Sequence, residues 1–275
     1  MSRIATAFER SKARQRCALV AYLMAGDPEC DSTVPLMHTM VAAGADILEL
    51  GVPFSDPMAD GPIIQAAGER ALRNRVTLRD TLNMLQSFRE RDRHTPVVLM
   101  GYLNPIETMG CHTFAQSAEQ AGVDGVITVD LPPEEADELV QALAQVDIDP
   151  IFLLAPTTTP ARIETICAAA RGFIYYVSLK GVTGAATLDV AAVERKLDEI
   201  RACANVPIGV GFGIKDAATA ARMAEIADAV VVGSALVKRI ADNAADADAA
   251  QAAVADLLRG MREAMDARAS DVQVA

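Results

Sequence analysis

The stretch IGVGFGIKDAATAARMAEIADAVVVGSA (Ile208–Ala235) holds the unit whose reading decides the fold. An apolar run, Ile208–Phe212, ends in the glycine-rich turn Gly211-Phe212-Gly213-Ile214-Lys215-Asp216. A second run, Ala229–Gly233, ends in Gly233-Ser234-Ala235. Toward the N-terminus six more such runs precede them: Ala18–Ala25, Asp46–Pro53, Val97–Tyr102, Gly125–Asp130, Ile151–Ala155 and Phe173–Leu179. Most are near-continuous rather than alternating, as expected of parallel strands covered on both faces.

Segments of helical period lie between the runs. Leu78, Leu82 and Leu85 share one helix face. Thr159 and Pro160 supply a capping hydroxyl and a first-turn proline before Ala161–Ala170. Val254, Leu257, Met261 and Met265 mark a terminal helix. Eight strand–helix alternations predict a parallel α/β fold. A doubly wound open sheet is the rival, but closure into a single (β/α)8 (TIM) barrel removes two sheet edges. An extra N-terminal helix is expected. The connection Phe54–Pro96 is long enough for an extra helix after the second strand. Residues 1–275 are read as one domain with the last few residues frayed, close to the roughly 250 that such a barrel needs.

Composition narrows the function classes. With 25 basic and 37 acidic residues the formal charge is −12, which speaks against nucleic-acid and anionic-membrane partners. An anionic ligand must therefore be held by local backbone dipoles. No stretch reaches 18 uninterrupted apolar residues, and the N-terminus lacks a signal core. The five cysteines (Cys17, Cys30, Cys111, Cys167, Cys203) form no C-x-x-C pair and read as core fillers of a reduced, cytoplasmic compartment.

Functional groups of a barrel lie at the C-terminal ends of its strands. The glycines at 211–213 and 233 lead into helices, where free N–H groups bind anions such as phosphate. The alternative is a pair of tight strand-to-helix turns. Gly181-Val182-Thr183-Gly184 can add donors as a lid.

Glu49 shares a strand face with Ile47 and Gly51. If that face looks inward its pKa rises, which suits a general acid or base. A rim glutamate bonded to backbone is the other reading. Asp60, eleven residues on in a loop stiffened by Pro53, Pro57 and Pro62, either caps the next helix or completes a carboxylate pair with divided roles.

His38, His94 and His112 stand away from strand ends, so neither a metal site nor a histidine-based triad is supported. Lys180 occupies the place of a Schiff-base lysine, but nothing nearby in sequence depresses its pKa, and it reads as a solvated loop residue.

The stretch L-E-L-G-V-P-F-S-D-P-M-A-D-G-P (Leu48–Pro62) closely resembles the signature of the tryptophan synthase alpha chain family. The likeness continues in Y-L-M-A-G-D-P (Tyr22–Pro28), M-G-Y-L-N-P (Met100–Pro105), Y-Y-V-S-L-K-G-V-T-G (Tyr175–Gly184) and G-F-G-I (Gly211–Ile214), in order along nearly the whole chain.

The resemblance implies cleavage of indole-3-glycerol phosphate to indole and glyceraldehyde 3-phosphate, within the last steps of tryptophan biosynthesis. It implies three catalytic residues: Glu49 as acid–base, Asp60 as the carboxylate facing the indole nitrogen, and Tyr175 packed beside the substrate. Tyr22, Met100, Ile127, Val129 and Phe212 would surround the indole, with Tyr102 as a further substrate-binding residue. Thr183 would orient Asp60, while Gly184, Gly213, Gly233 and Ser234 would hold the phosphate. The family more often has Phe at position 22 and Leu at 100. Both changes keep apolar bulk, though the Tyr22 hydroxyl then needs a partner or solvent.

The implied partner is a pyridoxal-phosphate-dependent beta chain in an α2β2 tetramer, met by Pro53, Asp56 and Pro57. No cofactor is expected in this chain. Other readings are a free-standing indole-releasing lyase, another phosphate-binding barrel enzyme such as a sugar-phosphate epimerase, and a regulatory subunit without turnover.

Overall fold

The computed structural model describes residues 2–178, 190–211 and 213–271. Its strands are β1 (Ala18–Met24), β2 (Ile47–Gly51), β3 (Val97–Gly101), β4 (Gly125–Thr128), β5 (Asp149–Ile151), β6 (Leu153–Leu154), β7 (Ile174–Val177), β8 (Ile208–Gly211) and β9 (Ala229–Val232). All pair in parallel, in the order β5-β4-β3-β2-β1-β9-β8-β7-β6.

The two ends of that order, β5 and β6, are separated in the chain by Phe152 alone. They are one stave, and the sheet therefore closes into the expected barrel. The stave starts two residues earlier than the expected Ile151–Ala155 and changes partner at Phe152. Its first half pairs with β4 and its second with β7, and the Phe152 carbonyl accepts the Tyr175 N–H at 3.0 Å. Strand stagger in a closed barrel forces such an exchange at the place where the sheet meets itself.

Successive side chains in each strand point to opposite sides. Ala18, Val20, Ile47, Val98, Ile127, Ile151, Phe173, Ala229 and Val231 form the barrel interior. Leu19, Leu23, Leu48, Leu50 and Leu99 pack outward against the helices. The expected N-terminal helix, Arg3–Ala13, adds Ile4, Ala7 and Phe8 to the interior cluster, with the Phe8 and Phe173 rings 5.9 Å apart. It plugs the end of the barrel away from the strand C-termini. At that end Asp124 binds Arg3 (2.8 Å) and Arg89 (2.7 Å) and accepts the Val97 N–H.

Both helices expected after β2 are present, Pro62–Arg73 and Leu78–Arg89. Leu103–Met109 is an additional short helix, too short for its period to be read from sequence. Thr159 is the N-cap residue of Pro160–Ala169, but its hydroxyl makes no capping bond. The corner is closed instead by Thr158, whose hydroxyl accepts the Ala155 N–H at 3.0 Å.

In the terminal helix, Ala247–Asp271, the buried face is Val254, Leu258, Met261 and Met265. Leu257, expected on that face, is only half-buried and turns toward the site described below. The expected fraying falls on residues outside those described. Among the described residues, no helix is long and apolar enough to cross a membrane.

Candidate active site

The period of β2 puts Glu49 on the inward side, one step from Ile47 toward the strand's C-terminal end. It stands in register with Tyr22 on β1 and Val98 on β3. Tyr22, Glu49, Met100 and Tyr175 line a cavity of about 560 Å³ at this end of the barrel.

Glu49 is 1% exposed, and its Oε2 atom is buried without a hydrogen-bond partner. The rim-glutamate reading is thereby removed. Burial, and secondarily the nearby Asp60 charge, push its pKa up to about 8. The carboxyl group is thus held in its protonated form at neutral pH.

Two glycines shape the floor of the cavity. A Cβ on Gly51 would overlap the Tyr22 hydroxyl, and one on Gly211 would overlap the Tyr175 hydroxyl. Both tyrosines fill these gaps and are buried. The Tyr22 hydroxyl donates to Met24 Sδ at 3.9 Å, the weak partner available in this apolar setting.

Asp60 is not a helix cap. Gly61 is the N-cap residue of Pro62–Arg73, and no side chain caps that helix. The Asp60 carboxyl group lines the same cavity as Glu49. Burial raises its pKa to about 6, while a hydrogen bond from Tyr102 draws it back.

The loop is fixed from three sides. Tyr102 accepts the Ala59 N–H at 3.0 Å, its ring stacks on Phe54 at 5.0 Å, and Gln65 Nε2 donates to the carbonyls of Pro57 (3.3 Å) and Asp60 (3.0 Å). Tyr102, expected among the substrate contacts, stands behind the loop and holds it. Gln65 escaped the sequence reading, because its link to the loop is made through space by an ordinary helix residue.

Gly213, Gly233 and Ser234, beyond the C-terminal ends of β8 and β9, line the same cavity. Gly233 precedes the helix Ser234–Asp242, whose first N–H groups have no acceptor within the helix. Lys215, Lys238 and Arg239 line this side too and were not anticipated. Their sequence signal was proximity: Lys215 follows Gly213 by two residues, and Lys238 and Arg239 lie about one turn beyond Ser234. Lys238 also pairs with Asp242 at 3.0 Å. Ile63, Ile64 and Leu257 add apolar wall.

Ile127 is fully buried in the barrel interior, and Val129 packs against the same cluster. Both support the floor rather than line the cavity. Phe212, Thr183 and Gly184, like Lys180, lie outside the described residues. Of the expected partner contacts, Pro53 is buried, Asp56 exposed and Pro57 half-buried. Asp56 and Pro57 border a separate cavity of about 450 Å³ beside Met58, which is 85% exposed. Among the described residues no cluster of His, Cys, Asp and Glu could hold a metal ion.

Comparison with known proteins gives one consistent result. The family model for the tryptophan synthase alpha chain matches residues 8–266. The tryptophan synthase alpha chain of Thioalkalivibrio sulfidiphilus is 65% identical over 266 residues, covering 97% of this chain and all of the relative. That of Alkalilimnicola ehrlichii is 56% identical over 272 residues, with 99% of both chains covered. Among solved structures, tryptophan synthase subunit alpha from Legionella pneumophila superposes with a TM-score of 0.90 at 45% identity, over 97% of this chain and 99% of that one.

Proposed function

Since the chain belongs to the tryptophan synthase alpha chain family, lyases that cleave indole-3-glycerol phosphate to indole and glyceraldehyde 3-phosphate, we propose that Glu49 and Asp60 divide the proton chemistry of that cleavage. The observation carrying this reading is a fully buried carboxylic acid with one unpartnered oxygen, sharing a cavity with a second carboxylate of lower pKa.

Protonated Glu49 gives its proton to the ring carbon that bears the glycerol chain. The ring becomes an indolenine cation, and ionised Asp60 accepts the hydrogen bond from its nitrogen and stabilises the charge. Glu49, now a carboxylate, takes the proton from the hydroxyl on the adjoining side-chain carbon. That oxygen becomes the aldehyde carbonyl, the carbon–carbon bond breaks, and its electron pair restores the indole ring. Glu49 ends protonated, as it began. A fixed carboxylate in a water-poor cavity opposes developing positive charge more strongly than water does.

The phosphate lies against Gly213 and the first turn of Ser234–Asp242, with Gly233, Gly184 and the cations Lys215, Lys238 and Arg239 nearby. The ring contacts Tyr22, Met100 and Tyr175, with Phe212 as a further wall, over the floor formed by Ile127 and Val129. Thr183 orients Asp60, and Tyr102 holds it from behind.

A beta chain is the family's partner, and this chain needs no cofactor of its own. Pyridoxal phosphate then resides in that partner, in an α2β2 assembly in the cytoplasm, with the chain working as one domain. The exposed Asp56 and Met58 flanking half-buried Pro57 support docking there. The test is indole release from indole-3-glycerol phosphate, with and without a beta chain. Cleavage stimulated by the beta chain is expected. Full-speed cleavage by the isolated chain would favour a free-standing lyase, and none in either state would favour a regulatory subunit.

A further inference from the structure

Two of the five cysteines, far apart in sequence and absent from the catalytic reading, converge on one atom. Cys167, in Pro160–Ala169, directs its Sγ at the Ile200 carbonyl oxygen at 3.9 Å. Cys203, two residues beyond the helix Val190–Arg201, directs its Sγ at the same oxygen at 3.3 Å. Both sulfurs thus face one oxygen, from the end of one helix and from just beyond another. Cys167 is buried and Cys203 half-buried, so one sulfur of the pair is reachable from solvent and the other is sheltered behind it.

From this convergence we propose that Cys167 and Cys203 form a dithiol that a hydroperoxide oxidises to an intramolecular disulfide. Cys203, the accessible thiol, attacks the peroxide as thiolate. An S–O bond forms, the O–O bond breaks, and hydroxide leaves, giving the sulfenic acid. Cys167 then attacks that sulfur, losing its proton. The S–S bond forms as the S–O bond breaks, and water leaves. One peroxide is reduced by two electrons, and the two sulfurs are oxidised by one each.

The site tolerates the loss of both S–H donors. The Ile200 carbonyl keeps the N–H groups of Cys203 (3.1 Å) and Ala204 (2.9 Å), so oxidation leaves no buried acceptor unpaired. The two helices are also tied at the other end of Pro160–Ala169, where Lys196 Nζ donates to the Thr158 carbonyl at 2.9 Å. Bonding the sulfurs brings them to a separation of about 2.05 Å. Burial pushes the Cys167 thiol up to about 12, so its attack is slow unless Cys203 has reacted first. Cys17 and Cys111 are buried and Cys30 is exposed, but only Cys167 and Cys203 direct their sulfurs at a common atom, so an intramolecular disulfide is expected from this pair.

The full-length chain is treated with hydrogen peroxide at pH 8 and mapped by mass spectrometry without reduction. The expected product is a Cys167–Cys203 linked peptide, with both thiols lost together and both recovered on reduction. In Cys203→Ser, Cys167 should keep its thiol, with its oxidation rate down at least tenfold. In Cys167→Ser, Cys203 should stop at a sulfenic acid that dimedone traps. Both substitutions are near-isosteric, and circular dichroism checks that the variants fold. The proposal is overturned if wild-type Cys203 over-oxidises while Cys167 stays a free thiol. It is equally overturned if Cys167 reacts as fast in Cys203→Ser as in wild type, or if the main product links two chains.

Discussion

Replacing Glu49 with Gln separates the two consequences of burying this carboxyl group. The shape is kept and the titrating proton is lost. The folded-state pKa of about 8 lies above the ordinary glutamate value of 4.5, because burial disfavours the charged form. Below pH 4.5 the group is protonated both folded and unfolded and costs nothing. As the pH rises from 4.5 toward 8, the unfolded chain releases the proton and the folded one retains it, so wild-type stability falls.

Each pH unit in that window is about 1.4 kcal/mol, so going from pH 6 to pH 8 removes up to about 3 kcal/mol through this one residue. Glu49→Gln escapes that loss. Its stability relative to wild type, read from urea midpoints, should increase between the two pH values. In the same protein kcat/KM for indole release should fall roughly 10³-fold, about 4 kcal/mol of transition-state stabilisation, as for removal of a group that moves protons in two steps. A stability difference that is the same at pH 6 and pH 8 would refute the claim that burial holds Glu49 protonated. A variant retaining a tenth of wild-type activity would remove Glu49 from the chemistry.

The pH profile of kcat/KM should rise through about 6 as Asp60 ionises and fall beyond about 8 as Glu49 loses its proton; a flat profile across that range would dissociate both groups from the rate. Gly51→Ala should destabilise by ~1–3 kcal/mol in thermal unfolding, because the new methyl group collides with the Tyr22 hydroxyl and ring edge, and Tyr22→Phe in the same chain should restore only part of the loss. Gly213 has φ +77°, so Gly213→Val adds backbone strain and bulk beside the phosphate. Calorimetry should show glycerol phosphate binding weakened while indole binding persists; equal loss of both would indicate general misfolding. Lys180→Ala should leave cleavage within a few-fold of wild type, and borohydride should trap no adduct; an adduct at Lys180 would replace the carboxylate mechanism with a Schiff base.

Much of this site was legible because it follows from backbone geometry. A strand's period of two is a local property, so Ile47-Leu48-Glu49 by itself placed Glu49 on the face of Ile47, and eight alternating runs placed that strand in a parallel α/β fold. The motif around Asp60 supplied the second carboxylate, but not whether it caps a helix or faces a cavity. Only tertiary structure decided that, through Tyr102 and Gln65, which reach the loop from a different strand end and from the following helix.

The same holds for the partner exchange at Phe152, the turn of Leu257 toward the cavity, and the gathering of Lys215, Lys238 and Arg239 at its rim. It holds above all for the proton affinity of Glu49, which depends on how completely water is excluded by Tyr22, Met100, Tyr175 and their neighbours. Such exclusion is a sum over residues distant in the chain and close in space. Local periodicity could say which way the carboxyl group points, but only the closed barrel decides that one of its oxygens is buried without a partner.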